Sequence, residues 1–141
     1  TIDNNKINEV ATIAEIKSDI SIFPLKYKTI VGERGVQLSG GQRQRISIAR
    51  AIYKKPDIFI FDDCLSAVDS SKEQKILANL NNKTNKNTTI IISHRISAIK
   101  DADLIIVLKD GKILEKGKHN ELIKNEDFYH KIYQRQNKKE C

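Results

Sequence analysis

The chain has no methionine and no tryptophan, and only two cysteines, two prolines and six glycines among 141 residues. Cys64 and Cys141 lie far apart and form no CxxC pair, so neither a disulfide framework nor a zinc site is expected, and a reducing, cytosolic setting is the default. No apolar run approaches the ~20 residues that a membrane-spanning helix needs. No basic segment followed by an apolar one resembles a signal peptide. Beginning at Thr1 without any methionine, the sequence leads us to expect something other than a complete translation product. Its length suits one domain with a modest core. The formal charge of +7 suits nucleic acid or an acidic membrane surface. However, the lysines are scattered among Asn and Ile without an aromatic-basic stripe. We read a compositional bias and expect no nucleic-acid partner.

The informative stretch is Leu38-Ser39-Gly40-Gly41-Gln42-Arg43-Gln44-Arg45. It opens a helical pattern carried by Ile46, Ala49, Ile52 and Tyr53, which stops before Pro56. Ser39 can cap this helix, and Gly40 and Gly41 leave their backbone amides unshielded. Amides at a helix N-terminus, with the positive end of the dipole behind them, suit a phosphate. From Ser-Gly-Gly alone, a plain glycine turn leading into a helix fits as well.

Upstream, Ile7, Val10, Ala11, Ile13 and Ala14 predict an amphipathic helix over 5–18, broken at Phe23-Pro24. Thr29 to Gly35 is a glycine-bounded loop. Downstream, Ile58-Phe59-Ile60-Phe61 between Pro56 and two acids predicts a strand buried on both faces. Asp62 and Asp63 at its C-terminal end stand where open α/β sheets place their ligands, although strand-end acids also cap the next element. Ser70 and Ser71 can cap a helix running to about residue 82, with Ile76, Leu77 and Leu80 on one face. The polar run from Asn79 to Thr88 is expected to be a loop. Thr89 to Ser93 predicts a second fully buried strand, ending at His94. A third apolar strand over 103–108 meets a strong hairpin signal at Asp110-Gly111, and 112–116 returns. Two short helices over 119–124 and 126–136 turn Leu122, Ile123, Phe128, Tyr129, Ile132 and Tyr133 inward. There is no internal repeat.

The eight residues from Leu38 to Arg45 resemble the signature motif of the ATP-binding cassette family, the nucleotide-binding domains of ABC transporters. Several further segments fit that resemblance: Asp57 to Asp63 is similar to a Walker B strand and begins its acid pair 23 positions after Ser39. Cys64 to Asp69 is similar to the family's D-loop, and Ser93-His94-Arg95 to its switch region. The resemblance runs from about residue 5 to 136. It implies an α/β fold: a partial P-loop NTPase core with parallel strands, part of the helical signature subdomain, and a C-terminal hairpin plus helices. Residues 1–56 would belong to the helical subdomain and 57–141 to the ATPase core. The phosphate-loop strand is missing, for no G-x-x-x-x-G-K-[ST] occurs in the sequence. Neither the family's adenine-stacking aromatic residue nor its Q-loop glutamine is identifiable. In the family that strand lies between the one leading to His94 and the one at 104–108. Its loss leaves unpaired edges, so the 141 residues alone are not expected to be a stable, active unit.

The cofactors implied are ATP and Mg²⁺. Cassettes work in head-to-tail pairs, so the resemblance implies that Ser39, Gly40, Gly41 and Gln42 bind the ATP held by a second cassette, and that Asp69, in the loop that crosses to it, is a cofactor-binding residue as well. Asp62 would be the metal-binding residue, holding Mg²⁺ through water. Asp63 would take the catalytic position and His94 would sense the γ-phosphate. Most active cassettes have Glu at the position of Asp63. The shorter acid resembles the degenerate subunit of a bacterial heterodimeric exporter, and a similar Asp-Asp occurs in the first cassette of single-chain multidrug exporters. Thr29 to Gly35, with Glu33 and Arg34, would contact the coupling helices of a transmembrane domain at the cytoplasmic face of the membrane. A solvated charged turn is the alternative there, and the local pattern departs from the family's at Leu25, Lys26 and Lys28. Two other classes are weighed: a soluble ATPase of chromosome maintenance or DNA repair, disfavoured by the absence of a heptad run, and a non-catalytic interaction fragment.

Overall fold

The computed structural model describes residues 3–32, 35–84 and 87–138. Glu33, Arg34 and Cys141 therefore lie outside the described residues. The chain divides into two compact units, Thr1–Ile92 and Ser93–Cys141.

In the first unit, helix α1 (Asn4–Ile13) starts at Asp3, whose carboxylate accepts from the amides of Asn5 and Lys6. The single helix expected over 5–18 is in fact two. Glu15 takes a left-handed backbone (φ 53°), and α2 (Lys17–Ile22) starts afresh after Ile16. No glycine or proline announces this break. Its cause is tertiary, because the Glu15 carbonyl exposed by the break accepts from Arg45 on α3 (Gly40–Lys54). Helix α3 ends at Lys55 in a left-handed cap, directly before Pro56.

Strand β1 (Ile58–Asp62) pairs in parallel with β2 (Thr88–Ile92), with Ile60 opposite Ile90 and Asp62 opposite Ile92. Between them α4 (Ser70–Thr84) forms the crossover. This helix runs beyond 82 into the stretch expected to be a loop, since Asn79 and Leu80 on it are held from the core side. Leu80 is buried, and the Asn79 amide donates to the Ile13 carbonyl at 3.2 Å. Asp69, rather than Ser70 or Ser71, is its cap: the Asp69 carboxylate accepts from the Lys72 amide at 2.9 Å and its carbonyl from Glu73. Val10, Ala11, Ile48, Ile52, Phe59, Phe61 and the expected Ile76, Leu77 and Leu80 make the core. Phe59 and Phe61 stack with ring centroids 5.7 Å apart.

The expectation of strands buried on both faces is corrected here. Alternate residues put Phe59 and Phe61 inside, while Ile60 is 64% and Ile90 47% exposed, with Ile58 and Ile92 on the same bare face. Among the described residues β2 has no strand partner besides β1. The composition suits burial on two sides, and the described residues cover only one.

In the second unit, β3 (Ile105–Lys109) and β4 (Lys112–Gly117) form an antiparallel hairpin. Asp110 and Gly111 both take positive φ (50° and 72°), as the tight turn requires. Helices α5 (His119–Lys124) and α6 (Phe128–Asn137) close a core of Ile96, Ile105, Leu122 and Tyr129, against which Ile123, Ile132 and Tyr133 pack. Phe128, expected inside, is exposed at the start of α6, where Lys109 lies 5.4 Å over its ring.

The bare isoleucines are a predicted association surface. Replacing Ile60 and Ile90 together by Lys is expected to reduce self-association of the 141-residue chain in sedimentation velocity. A monodisperse wild-type monomer would contradict this. In contrast, Ile76→Ala, at a fully buried site, should cost about 2–5 kcal/mol in urea unfolding.

Candidate nucleotide-binding site

Ser39 caps α3 reciprocally. Its hydroxyl accepts from the Gln42 amide at 3.2 Å, and the Gln42 side-chain oxygen accepts from the Ser39 amide at 2.9 Å. The first intrahelical bond runs from the Arg43 amide to the Ser39 carbonyl, so the amides of Gly40 and Gly41 lie ahead of it and have no acceptor within the helix. No acidic residue occupies the first turn. This donor set fits an anion.

A buried ion pair fixes that helix end from below. Arg45 is 4% exposed, and its guanidinium meets Asp19 Oδ2 at 2.9 Å and Oδ1 at 3.3 Å. It also donates to the carbonyls of Glu15 and Gly41. The other end of the Gln42 amide donates to Asp19 Oδ1 at 2.9 Å. Burial alone would push the Asp19 carboxyl up, but the hydrogen bond from Gln42 and the Arg45 guanidinium together hold it below the usual carboxylate range. Both ends of the Gln42 side chain are thus engaged within the helix N-terminus and α2.

The loop after β1 leans on the same helix end. Asp63 has a left-handed backbone (φ 44°); its amide donates to the Ile92 carbonyl at 2.9 Å, and its own carbonyl accepts from the Ser66 hydroxyl at 3.0 Å. A Cβ on Gly41 would lie 2.7 Å from the Ala67 carbonyl oxygen, so the loop itself demands glycine there. Gln44 bonds this loop at three points. Asp62 and Asp63 are exposed, adjacent carboxylates at the end of β1. No group of three or more His, Cys, Asp or Glu suited to a metal occurs among the described residues. Mg²⁺ fits such a pair when phosphate and water supply its remaining oxygens. Burial, with the Asp63 and Asp62 charges adding, pushes the Cys64 thiol up to about 11, which makes it a poor nucleophile. Asp69 is exposed, and the Lys72 amide, reinforced by its ammonium at 3.4 Å, holds the carboxyl below its ordinary range.

Ser39, Gly40, Gly41, Gln42, Asp62, Asp63 and Asp69 thus all belong to the first unit, the glycines directly against the loop between the acids and Asp69. His94 belongs to the second unit. There Gln136 on α6 donates to the His94 carbonyl at 2.7 Å and accepts from the Ile96 amide at 2.9 Å. Sequence reasoning missed Asp19, Arg45, Gln44 and Gln136. The first and last carried no signal, whereas Gln44 and Arg45 stood inside the motif.

The family model described as ABC transporter matches residues 1–66. The chain is 52% identical over 132 residues to ABC transporter B family member 4 of Dictyostelium discoideum, covering 94% of this chain and 17% of that protein. It is 44% identical over 133 residues to a probable multidrug resistance ABC transporter ATP-binding/permease protein of Bacillus subtilis, covering 94% and 23%. A solved structure of a bacterial Atm1-family ABC exporter with ATP bound superposes with a TM-score of 0.89 at 40% identity, over 95% of this chain and 24% of that one. The chain therefore spans less than a quarter of the length of each of these proteins.

Arg45→Ala leaves the half-buried Asp19 carboxylate with only the Gln42 amide and is expected to destabilise by about 1–3 kcal/mol in urea unfolding. Asp19 is held below its unfolded-state range, so its contribution is present above that range and fades as pH falls through the folded value. The stability gap between wild type and Asp19→Asn should accordingly shrink as the pH is lowered below about 4. A gap constant from pH 7 to pH 3 would show that the carboxylate charge is not what Arg45 needs.

Proposed function

On the premise that the chain is part of an exporter-type nucleotide-binding domain of the ABC transporters, we propose that it supplies two half-sites for ATP in a pair of cassettes. The observation that carries this is a helix N-terminus with free amides at Gly40 and Gly41, seated in one unit against the loop that follows two exposed carboxylates. Ser39, Gly40 and Gly41 would bind the γ-phosphate of ATP held by the second cassette. Asp62 would hold Mg²⁺ for the site built on the parent's own phosphate loop. ATP supplies the phosphoryl group, whose transfer to water asks mainly for positioning and charge stabilisation. Asp63 would orient the water and accept its proton, and His94, fixed by Gln136, would sense the γ-phosphate. Asp69 keeps the loop anchored to α4, and Gln42 holds the cap of α3 in shape. We assign 1–56 to the helical subdomain and 57–141 to the ATPase core.

The acid pair further suggests which kind of cassette this is. Asp63 is one methylene shorter than the Glu of most active cassettes, which withdraws the carboxylate by about an ångström; a displacement of that order can cost ~100-fold in rate. We therefore read the chain as the weaker-site partner in a heterodimer, coupling ATP binding and hydrolysis to export. Contact with the transmembrane domain would run through Thr29 to Gly35 at the cytoplasmic face of the membrane.

In the full-length transporter, Ser39→Arg is expected to lower ATP turnover about 100-fold, because it blocks the amides serving the stronger site. Asp63→Ala should cost far less. Equal losses in kcat would refute this assignment of the two sites.

Asp63→Glu should raise turnover about tenfold in a background where the partner's catalytic acid is removed. Position 63 is exposed, which opens it to solvent on the side where a longer carboxylate would extend. Single-turnover hydrolysis measures this, and an unchanged rate would place the limiting lesion elsewhere.

A further inference from the structure

The geometry points to Gln44 as a positioning residue that locks the loop after Asp63 onto the N-terminus of α3, so that the two half-sites this chain contributes move as one body. Gln44 Nε2 donates to the Asp63 carbonyl at 3.3 Å and to the Ser66 hydroxyl at 3.0 Å, while its Oε1 accepts from the Ala67 amide at 2.9 Å. One side chain thus meets both donors and acceptors of a turn whose other bonds, from Ser66 to the Asp63 carbonyl and from the Val68 amide to the Leu65 carbonyl, stay within the loop and do not tie it to α3. The turn needs holding. Asp63 sits in the left-handed region, which a residue with a Cβ adopts only when its surroundings over-determine it.

Gln44 also stands one helical turn beyond Gly40, on the same face of α3. The glycine pair touches the same loop, with a hypothetical Cβ on Gly40 3.3 Å from Ala67 Cβ and one on Gly41 2.7 Å from the Ala67 oxygen. Any displacement of the 63–68 loop therefore reaches the amides of Gly40 and Gly41 through two routes, a hydrogen-bonded one and a steric one. In the proposed function, Asp63 and the signature amides serve different ATP molecules. Gln44 then makes the geometry of one site depend on that of the other, and the dependence is reciprocal. This step rests on the ATP reading for its consequence, though not for the lock itself.

The test uses the full-length, nucleotide-free transporter and hydrogen–deuterium exchange by mass spectrometry. Gln44→Ala is expected to raise exchange in peptides spanning 63–69 by about tenfold, the scale of a net hydrogen bond, and to leave peptides spanning 76–84 unchanged. Gln44→Glu keeps the acceptor for Ala67 and loses the donors, so it should give an intermediate rise and guards against a misfolded Ala variant. Ser66→Ala should in turn raise exchange at 40–43. Turnover of MgATP by Gln44→Ala should show a fall in kcat with KM unchanged. Unchanged exchange at 63–69, or a rise spread evenly over α4 as well, overturns the lock. A wild-type transporter that turns over no ATP overturns the functional reading, while the exchange arms still judge the lock.

Discussion

The burial of one guanidinium organises the first unit. An arginine taken out of water is tolerated only where its donors all find oxygen, and Arg45 finds Asp19, the Glu15 carbonyl and the Gly41 carbonyl. Each of those partners constrains something else. The Glu15 carbonyl is available only because α1 stops in a left-handed turn. Asp19 is shared with Gln42, which in turn closes the cap with Ser39. The N-terminal end of α3 is consequently rigid for reasons that lie in α1 and α2.

Rigidity on that side meets strain on the other. Asp63 must leave β1 in a left-handed conformation for its amide to reach Ile92 across the sheet and its carbonyl to turn toward Ser66 and Gln44. Of residues with a side chain, Asp and Asn tolerate this region best. The shorter acid is therefore favoured by the backbone as well as being a departure from the resemblance drawn in sequence. Gly41, which reads as a phosphate-facing glycine, is fixed at least as firmly by the Ala67 carbonyl.

These cases mark what could be read from the sequence and what could not. Local chemistry was legible: the Ser39 cap, the Asp110-Gly111 turn, the inward Ile76, Leu77 and Leu80, and the acids at the end of β1 all follow from residue type and spacing. The break at Glu15 was not, because its cause is a bond from a residue 30 positions away. Nor was the role of Asp19, an ordinary surface-like Asp until Arg45 is placed beside it. Asp69 was given to a ligand-side role from its motif, and its cap to α4 was assigned to the adjacent serines, since all three can cap and only geometry decides. Gln44 was read as part of a motif without a function of its own.

Ile58, Ile60, Ile90 and Ile92 occupy one face, and Phe59 and Phe61 the other, a composition that makes sense only where both faces are dry. Fully burying each isoleucine is worth roughly 1.5–3 kcal/mol over leaving it in water. Leu104, just ahead of the hairpin of the second unit, and Ile106, Leu108, Ile113 and Leu114 within it are exposed in the same way. The apolar surface thus exceeds what the described residues can cover in either unit. Net folding stability is small compared with such terms, so the strands are expected to depend on further covering surface, whereas the capped, ion-paired end of α3 is satisfied from within. The likeness of the chain to part of a larger cassette accounts for both facts. The helix end that would meet a ligand is self-supporting, and the sheet that would carry the load of a whole domain is not.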